Sequence, residues 1–186
     1  MVGKLATRDL AVCALFGALV FAGAYLLGTG IIALTGIPAT GSLLNMAYSL
    51  MVIIVGIKAV NKFGAATLIL LVESALAIPT TIFGPPGMYK LAIALLVALP
   101  LDFLLEASKR SNISLYFAGA AGAALNTLLV WAFLSFLGLP GAEQLGAVLL
   151  PLAAASAILG LVGAYIGVWL FDNKLKKRAF IRQMGG

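Results

Sequence analysis

Long apolar runs separated by short links rich in glycine, proline or lysine form the main pattern of the chain. Within these runs apolar residues follow one another, whereas the strands of a membrane barrel would alternate them with polar residues. Because backbone groups in lipid must be hydrogen-bonded within their own segment, such runs predict membrane-spanning helices. Six spans are predicted, at about 10–27, 43–60, 65–83, 88–105, 115–137 and 147–171.

The composition points to the same class of protein. Hydrophobic residues make up 63% of the 186 residues and charged residues 10%, with a mean hydropathy of +1.15. In a soluble domain about a quarter of the residues are charged. We therefore predict an all-α integral membrane protein in which residues 1–186 form a single transmembrane domain of six helices, with no separate soluble domain.

The basic residues indicate how the chain crosses the membrane. With the N-terminus in the cytoplasm, all of the 12 lysines and arginines except Lys90 fall on the cytoplasmic side, as the positive-inside rule requires. Both termini are therefore predicted to be cytoplasmic in a multi-pass protein of the cell membrane, with residues 172–186 as a basic tail. The net charge of +6 is interpreted as a topology signal, so we expect no nucleic-acid partner.

Residue types that carry metal and nucleophilic chemistry are scarce. The chain has no histidine and one cysteine, Cys13, so an internal disulfide is excluded and a Cys/His metal site is not expected. It has no GxxxxGK[ST] phosphate loop, so any ATP hydrolysis would come from a partner. We expect no cofactor and no enzyme activity. A membrane-embedded enzyme would have to use Glu73 and Asp102, which lie at different depths.

Glu73 is the polar residue that most needs an explanation. It lies near the middle of the third predicted span, where an acidic side chain costs about 2.5–3.5 kcal/mol. Helical spacing places Thr80 on the same broad face, and Pro79 predicts a kink in the outer half of the span. Two interpretations stay open: Glu73 accepts a hydrogen bond from a ligand amine or ring N–H, or it is protonated and bonds a neighbouring span, for example at Asn126.

Two charged residues of the fourth span are further candidates. Lys90, the single cation predicted outside, either covers the site and meets an anionic or carbonyl group, or extends to water as an interfacial lysine. Lys90 lies beyond the turn that follows the third span, too far from Glu73 for the two side chains to form an ion pair. Asp102 lies near the inner end of the span, where an ion pair with Lys109 or Arg110 is favoured over a ligand contact.

Amides and aromatic rings in the second and fifth spans complete the candidate binding site. Asn45 and Tyr48 lie in the outer third of the second span. Asn126 lies in the middle of the fifth, with Trp131 about one turn further out. An aromatic ring and amides suit a flat heterocycle, through stacking and directed hydrogen bonds. Membrane anchoring by Trp131 and an interhelical bond from Asn126 are equally open interpretations.

Small residues recur every four positions in the first span, at Ala14, Ala18 and Ala22. Such a stripe lets another backbone approach closely. The partner is either a neighbouring helix of the same chain or another membrane subunit.

The basic start and this stripe, in KLATRDLAVCALFGALVFAG, resemble the substrate-binding (S) components of energy-coupling factor (ECF) vitamin transporters. Six spans, the length and cytoplasmic termini fit that family over essentially the whole chain. The stretch KFGAATLILLVESALAIPTTIFGPPGMYKLAIALLVALPLDFLL is most similar to the branch that takes up hydroxymethylpyrimidine, a thiamine precursor.

The resemblance implies high-affinity binding of a small vitamin-like molecule, with hydroxymethylpyrimidine or thiamine as the first candidates. It also implies delivery by docking, through Ala14, Ala18 and Ala22, on an ECF transmembrane coupling subunit that is driven by two ATPase subunits. The main alternative is a self-contained proton-coupled secondary transporter that uses Glu73. A purely structural membrane protein is a further alternative.

Overall fold

Every secondary-structure element in the described part of the chain is helical, as predicted. The computed structural model describes residues 5–35, 38–81 and 84–176. Within these ranges it describes the side chains of all residues except those in 31–44. The helices are α1 (Thr7–Thr35), α2 (Pro38–Val60), α3 (Ala65–Ala77), α4 (Tyr89–Ala107), α5 (Asn112–Phe136), α6 (Ala142–Ala147) and α7 (Leu149–Leu170), followed by a π-helical turn (Phe171–Leu175).

Three of these segments are long and apolar enough to cross a membrane: Thr7–Gly30, Asn112–Phe136 and Leu149–Leu175. Two further apolar helical segments, Asn45–Val60 and Ala65–Ala77, are shorter. The structure thus contains an all-helical chain with three candidate membrane spans among the residues described. A count of six spans stays a prediction.

The first two helices are longer than their predicted spans. The link expected at 28–42 is mostly helical, because α1 continues to Thr35 and α2 begins at Pro38. Proline is well tolerated at the first position of a helix, where its missing N–H would have no partner in the helix. Residues 36–37 lie outside the described residues.

The third helix is shorter than predicted. It ends at Ala77, whereas the span was expected to run to residue 83 with a kink at Pro79. The proline lacks an amide hydrogen and its ring collides with the carbonyl four residues earlier, so the helix stops there. The chain then turns, with the Thr80 amide donating to the Ala77 carbonyl at 3.0 Å. The prediction of a kinked, continuing helix was wrong, while residues 82–83 lie outside the described residues.

Glycines allow the closest helix crossings. A Cβ added to Gly119 of α5 would lie 2.7 Å from the carbonyl oxygen of Gly160 in α7, and one added to Gly17 of α1 would lie 2.6 Å from the carbonyl oxygen of Ile69 in α3. At both points the two backbones touch, which only glycine permits. The glycines therefore decide how α5 packs on α7 and how α1 packs on α3.

The alanine stripe of α1 lies on a different face. Ala14 and Ala22 are exposed and Ala18 is half-buried, while Gly17 faces α3 and Gly23 contacts the ring of Tyr48. Packing within the chain therefore uses the glycines, and the interpretation of Ala14 and Ala22 as an internal packing surface is wrong.

Ion pairs join the helix ends on the side where α1 begins and α7 ends. Lys58 of α2 lies 2.9 Å from the carboxylate of Asp172 and donates to the amide oxygen of Asn112, also at 2.9 Å. Lys62 lies 2.7 Å from Asp9 of α1. These contacts tie the ends of α1, α2, α5 and α7 together.

Candidate ligand-binding site

A cavity of about 490 Å³ lies between α2, α3, α4, α5 and α7, with the turn after α3 and the segment at α6 also contributing to its wall. This volume is within the range of small-molecule sites, about 300–1,000 Å³. Most of the wall is apolar. Its polar and charged side chains are Asn45, Ser49, Glu73, Ser74, Thr81, Lys90, Asn126, Thr127 and Ser156.

Glu73 is the one carboxyl that lines the cavity among the described residues. Its side chain extends from α3, and the residue is only 6% exposed. Its carboxyl makes no hydrogen bond or ion pair with any residue that the structure describes, and the bond to Asn126 that was considered is not formed. A buried carboxyl without a partner is costly. Glu73 is therefore placed to take its partner from whatever occupies the cavity.

The part of the wall formed by α2 carries two more oxygens without partners. The side-chain NH2 group of Asn45 donates to the Ala24 carbonyl at 2.9 Å. The side-chain carbonyl oxygen of Asn45 is buried without a hydrogen bond, and so is the hydroxyl oxygen of Ser49. The two residues are one helical turn apart and both line the cavity. Three side chains with unpaired oxygens, on α2 and α3, thus line the cavity.

Lys90 lines the cavity but its ammonium group binds the protein itself. It donates to the carbonyls of Ala77 at 2.9 Å and Thr80 at 2.8 Å, where α3 ends. The residue is 4% exposed, so the interpretation of Lys90 as a lysine extending to water is wrong. The carbonyls at a helix C-terminus lack partners within the helix and carry partial negative charge, which a cation neutralises.

Asp102 performs the matching role at the other end of α3. Its carboxylate accepts from the Ala66 amide at 3.3 Å, the Thr67 amide at 2.9 Å and the Thr67 hydroxyl at 2.7 Å. The residue that precedes the helix is Gly64, which has no side chain to cap these amides. Asp102, 1% exposed, supplies the missing acceptor from α4.

The predicted ion pair of Asp102 with Lys109 or Arg110 is therefore wrong. Arg110 instead lies 3.2 Å from the exposed carboxylate of Glu106, one turn earlier, and Lys109 is exposed. The free amides at the start of α3 lie within hydrogen-bond distance of the buried carboxylate, whereas Lys109 is solvated and Arg110 is paired with Glu106.

Together the two caps hold α3 against α4. Lys90 and Asp102 are about 18 Å apart along α4, close to the length of α3, about 20 Å, at 1.5 Å per residue. The cation meets the C-terminus of α3 and the anion its N-terminus, so both interactions stabilise the helix dipole. This arrangement makes the two helices antiparallel and fixes the position of Glu73 on the cavity wall.

Three of the seven predicted binding residues lie outside the cavity. The hydroxyl of Tyr48 donates to the Leu19 carbonyl of α1 at 3.0 Å, and that of Thr80 donates to the Ala77 carbonyl at 2.9 Å. Trp131 is half-buried and lines a separate shallow depression beside α6, together with Glu143. A molecule inside the cavity would be lined by Glu73, Asn45, Asn126 and Lys90 but not by these three.

Sequence reasoning missed Ser49 and did not assign Thr127 and Ser156 to a site. Thr127 of α5 bonds Ser156 of α7 through their hydroxyls at 2.8 Å. The spacing of Asn45 and Ser49, four residues apart on one helix face, was the available signal for the α2 wall.

No family model matches the chain, and neither the curated proteins nor the solved structures include one that matches it. The fold and the cavity by themselves define the class of architecture: an all-helical chain with three helices compatible with a membrane, whose described residues enclose a ligand-sized cavity with an unpaired carboxyl.

Proposed function

We propose that this chain binds a small vitamin-like heterocycle with high affinity and carries it across the cell membrane, as the substrate-specific subunit of an ECF-type importer. The observation that supports binding most directly is the unpaired carboxyl of Glu73 in a cavity of about 490 Å³. A mostly apolar wall with a few directed polar groups is typical of sites for flat small molecules.

The transport part of the proposal is supported by the apolar composition and by the placement of the alanine stripe. In the proposed topology all six apolar segments cross the cell membrane and both termini are cytoplasmic, with the cavity nearer the outer side. Ala14 and Ala22 are exposed on α1, so their smooth face is available to a membrane coupling subunit. Two ATPase subunits bound to that partner would supply the energy.

A second candidate function is supported by the same carboxyl. Glu73 has no partner among the described residues, and an intramembrane carboxyl that exchanges a proton is the usual relay of proton-coupled carriers. In that case the chain would transport alone. Purified chain in liposomes with an imposed pH gradient separates the two functions, because an S component requires its coupling module and ATP.

The first test of binding is mass spectrometry of small molecules released from protein purified natively in mild detergent. We expect a near-stoichiometric heterocycle, and we expect Glu73→Gln to weaken its binding at least tenfold, about 1.4 kcal/mol. Glu143→Gln is the matched control, because Glu143 is an exposed carboxylate in the depression beside α6. Equal affinity in Glu73→Gln and Glu143→Gln would remove Glu73 from the proposed site.

A further inference from the structure

We propose that the ligand is a cationic nitrogen compound, a ring that carries a protonated amine or amidinium group. Its charged end is held by Glu73, and a further N–H donor is held by Asn45 and Ser49 of α2. This inference rests on the proposed binding function and specifies its substrate class.

The first reason is the hydrogen-bonding character of the unpaired groups. Beside a cation the Glu73 carboxyl is ionised and only accepts, the free atom of the Asn45 amide is its carbonyl oxygen, and the Ser49 hydroxyl can accept or donate. Buried polar atoms are nearly always hydrogen-bonded in the functional state of a protein. A ligand that satisfies the Glu73 and Asn45 oxygens must therefore supply at least two N–H or O–H donors.

The second reason is charge. Lys90 is the only cation lining the cavity in the described part of the chain, and its ammonium contacts the carbonyls of Ala77 and Thr80. An anionic ligand would have to displace those helix-capping bonds and would lie beside Glu73. A cationic ligand instead supplies the counter-charge with which the buried Glu73 carboxyl can ionise.

The rest of the wall supplies no competing charge. Thr127 and Ser156 satisfy each other through their hydroxyls, and Asn126 offers one neutral amide that can donate or accept. The apolar side chains between them, such as Ile93 and Val97, suit an uncharged ring. The polar ends of the ligand are thereby directed to α3 and α2.

Three probes of the same shape test the charge preference: benzamidinium, benzamide and benzoate, each titrated calorimetrically into the full-length protein in mild detergent. We expect benzamidinium to bind at least tenfold tighter than benzoate, with benzamide between them. A fragment of nine heavy atoms at about 0.3 kcal/mol per atom binds with a Kd of roughly 10 mM. The titrations therefore extend to about that concentration.

Variants locate the interaction. Glu73→Gln should weaken benzamidinium binding at least tenfold and bring its affinity close to that of benzamide. Ser49→Ala should weaken it about threefold to tenfold, the effect of one hydrogen bond. Glu143→Gln should leave all three affinities unchanged. Thermal unfolding of each variant, with a midpoint near that of the wild type, shows that the fold is retained.

The proposal is overturned if benzoate binds as tightly as benzamidinium, or if benzamidinium does not bind at about 10 mM. It is also overturned if benzamidinium binds equally to Glu73→Gln. A natively bound anionic heterocycle would overturn the cationic substrate class and leave the proposed binding function intact. Cation-selective binding without uptake in proteoliposomes containing the coupling subunits and ATP would preserve this inference and refute the transport function.

Discussion

Lys90 offers the sharpest separation between a residue that shapes the cavity and one that contacts the ligand. The sequence suggested a lysine that meets the ligand, whereas the structure places its ammonium group on the carbonyls of Ala77 and Thr80. The substitution Lys90→Met keeps most of the apolar stem and removes the charge and the donors. It should therefore destabilise the end of α3.

The size of the effect follows from the two contacts. Hydrogen bonds that involve a charged group contribute about 1.5–3 kcal/mol each, and the cation adds about 0.3–1 kcal/mol at the helix C-terminus. Water in the cavity would form some of the hydrogen bonds that the lysine gives up, so we expect the unfolding free energy to fall by about 2–4 kcal/mol in Lys90→Met. For a chain of this size that corresponds to a fall of roughly 4–16 °C in Tm.

The assay is thermal unfolding of wild type and variant in the same detergent, followed by benzamidinium titration below the transition. Lys109→Met is the control, because Lys109 is exposed just beyond the far end of α4, and its Tm should not change. We expect Lys90→Met to lower the Tm clearly while benzamidinium affinity changes less than tenfold. An unchanged Tm with affinity lost would refute the capping role and make Lys90 a ligand contact.

Three other outcomes are expected. Asp102→Ala removes three hydrogen bonds at the start of α3 and should cost about 3 kcal/mol or more in unfolding free energy. Glu143→Ala, which removes an exposed carboxylate, should cost less than about 1 kcal/mol in the same chemical denaturation series; equal losses would contradict the cap. Gly119→Val should destabilise by at least about 1–3 kcal/mol, because its Cβ would meet the Gly160 carbonyl; an unchanged Tm would mean that α5 and α7 do not cross there. Ala14→Trp should leave the Tm and ligand binding unchanged, since Ala14 is exposed, but abolish uptake in proteoliposomes containing the coupling module; retained uptake would exclude that face as the docking surface.

Part of the candidate site could be predicted from the sequence because depth along a helix is a local property. Glu73, Asn45 and Asn126 were predicted from their depth in apolar runs and Lys90 as the single cation on the outer side, and all four line the cavity. Depth alone does not give the direction in which a side chain points. For Tyr48 that direction is toward α1, where its hydroxyl reaches the Leu19 carbonyl.

Whether Trp131 and Thr80 reach the cavity was likewise decided by tertiary structure. Trp131 is on the same helix as Asn126 but lines the depression beside α6. Thr80 follows the end of α3 and turns back to the Ala77 carbonyl, because Pro79 does not allow the helix to continue. A one-dimensional pattern contains neither the rotation of a helix about its axis nor the path of the chain after its end.

By itself, the sequence determined that the chain is helical and strongly apolar, since long runs without polar alternation have no other way to satisfy their backbone groups in lipid. It also singled out Glu73, because a lone carboxyl in an apolar run needs a compensating partner. Only the tertiary structure decided what Asp102 and Lys90 do. Their partners are backbone groups at the two ends of α3, and any residue type presents such groups once a helix ends.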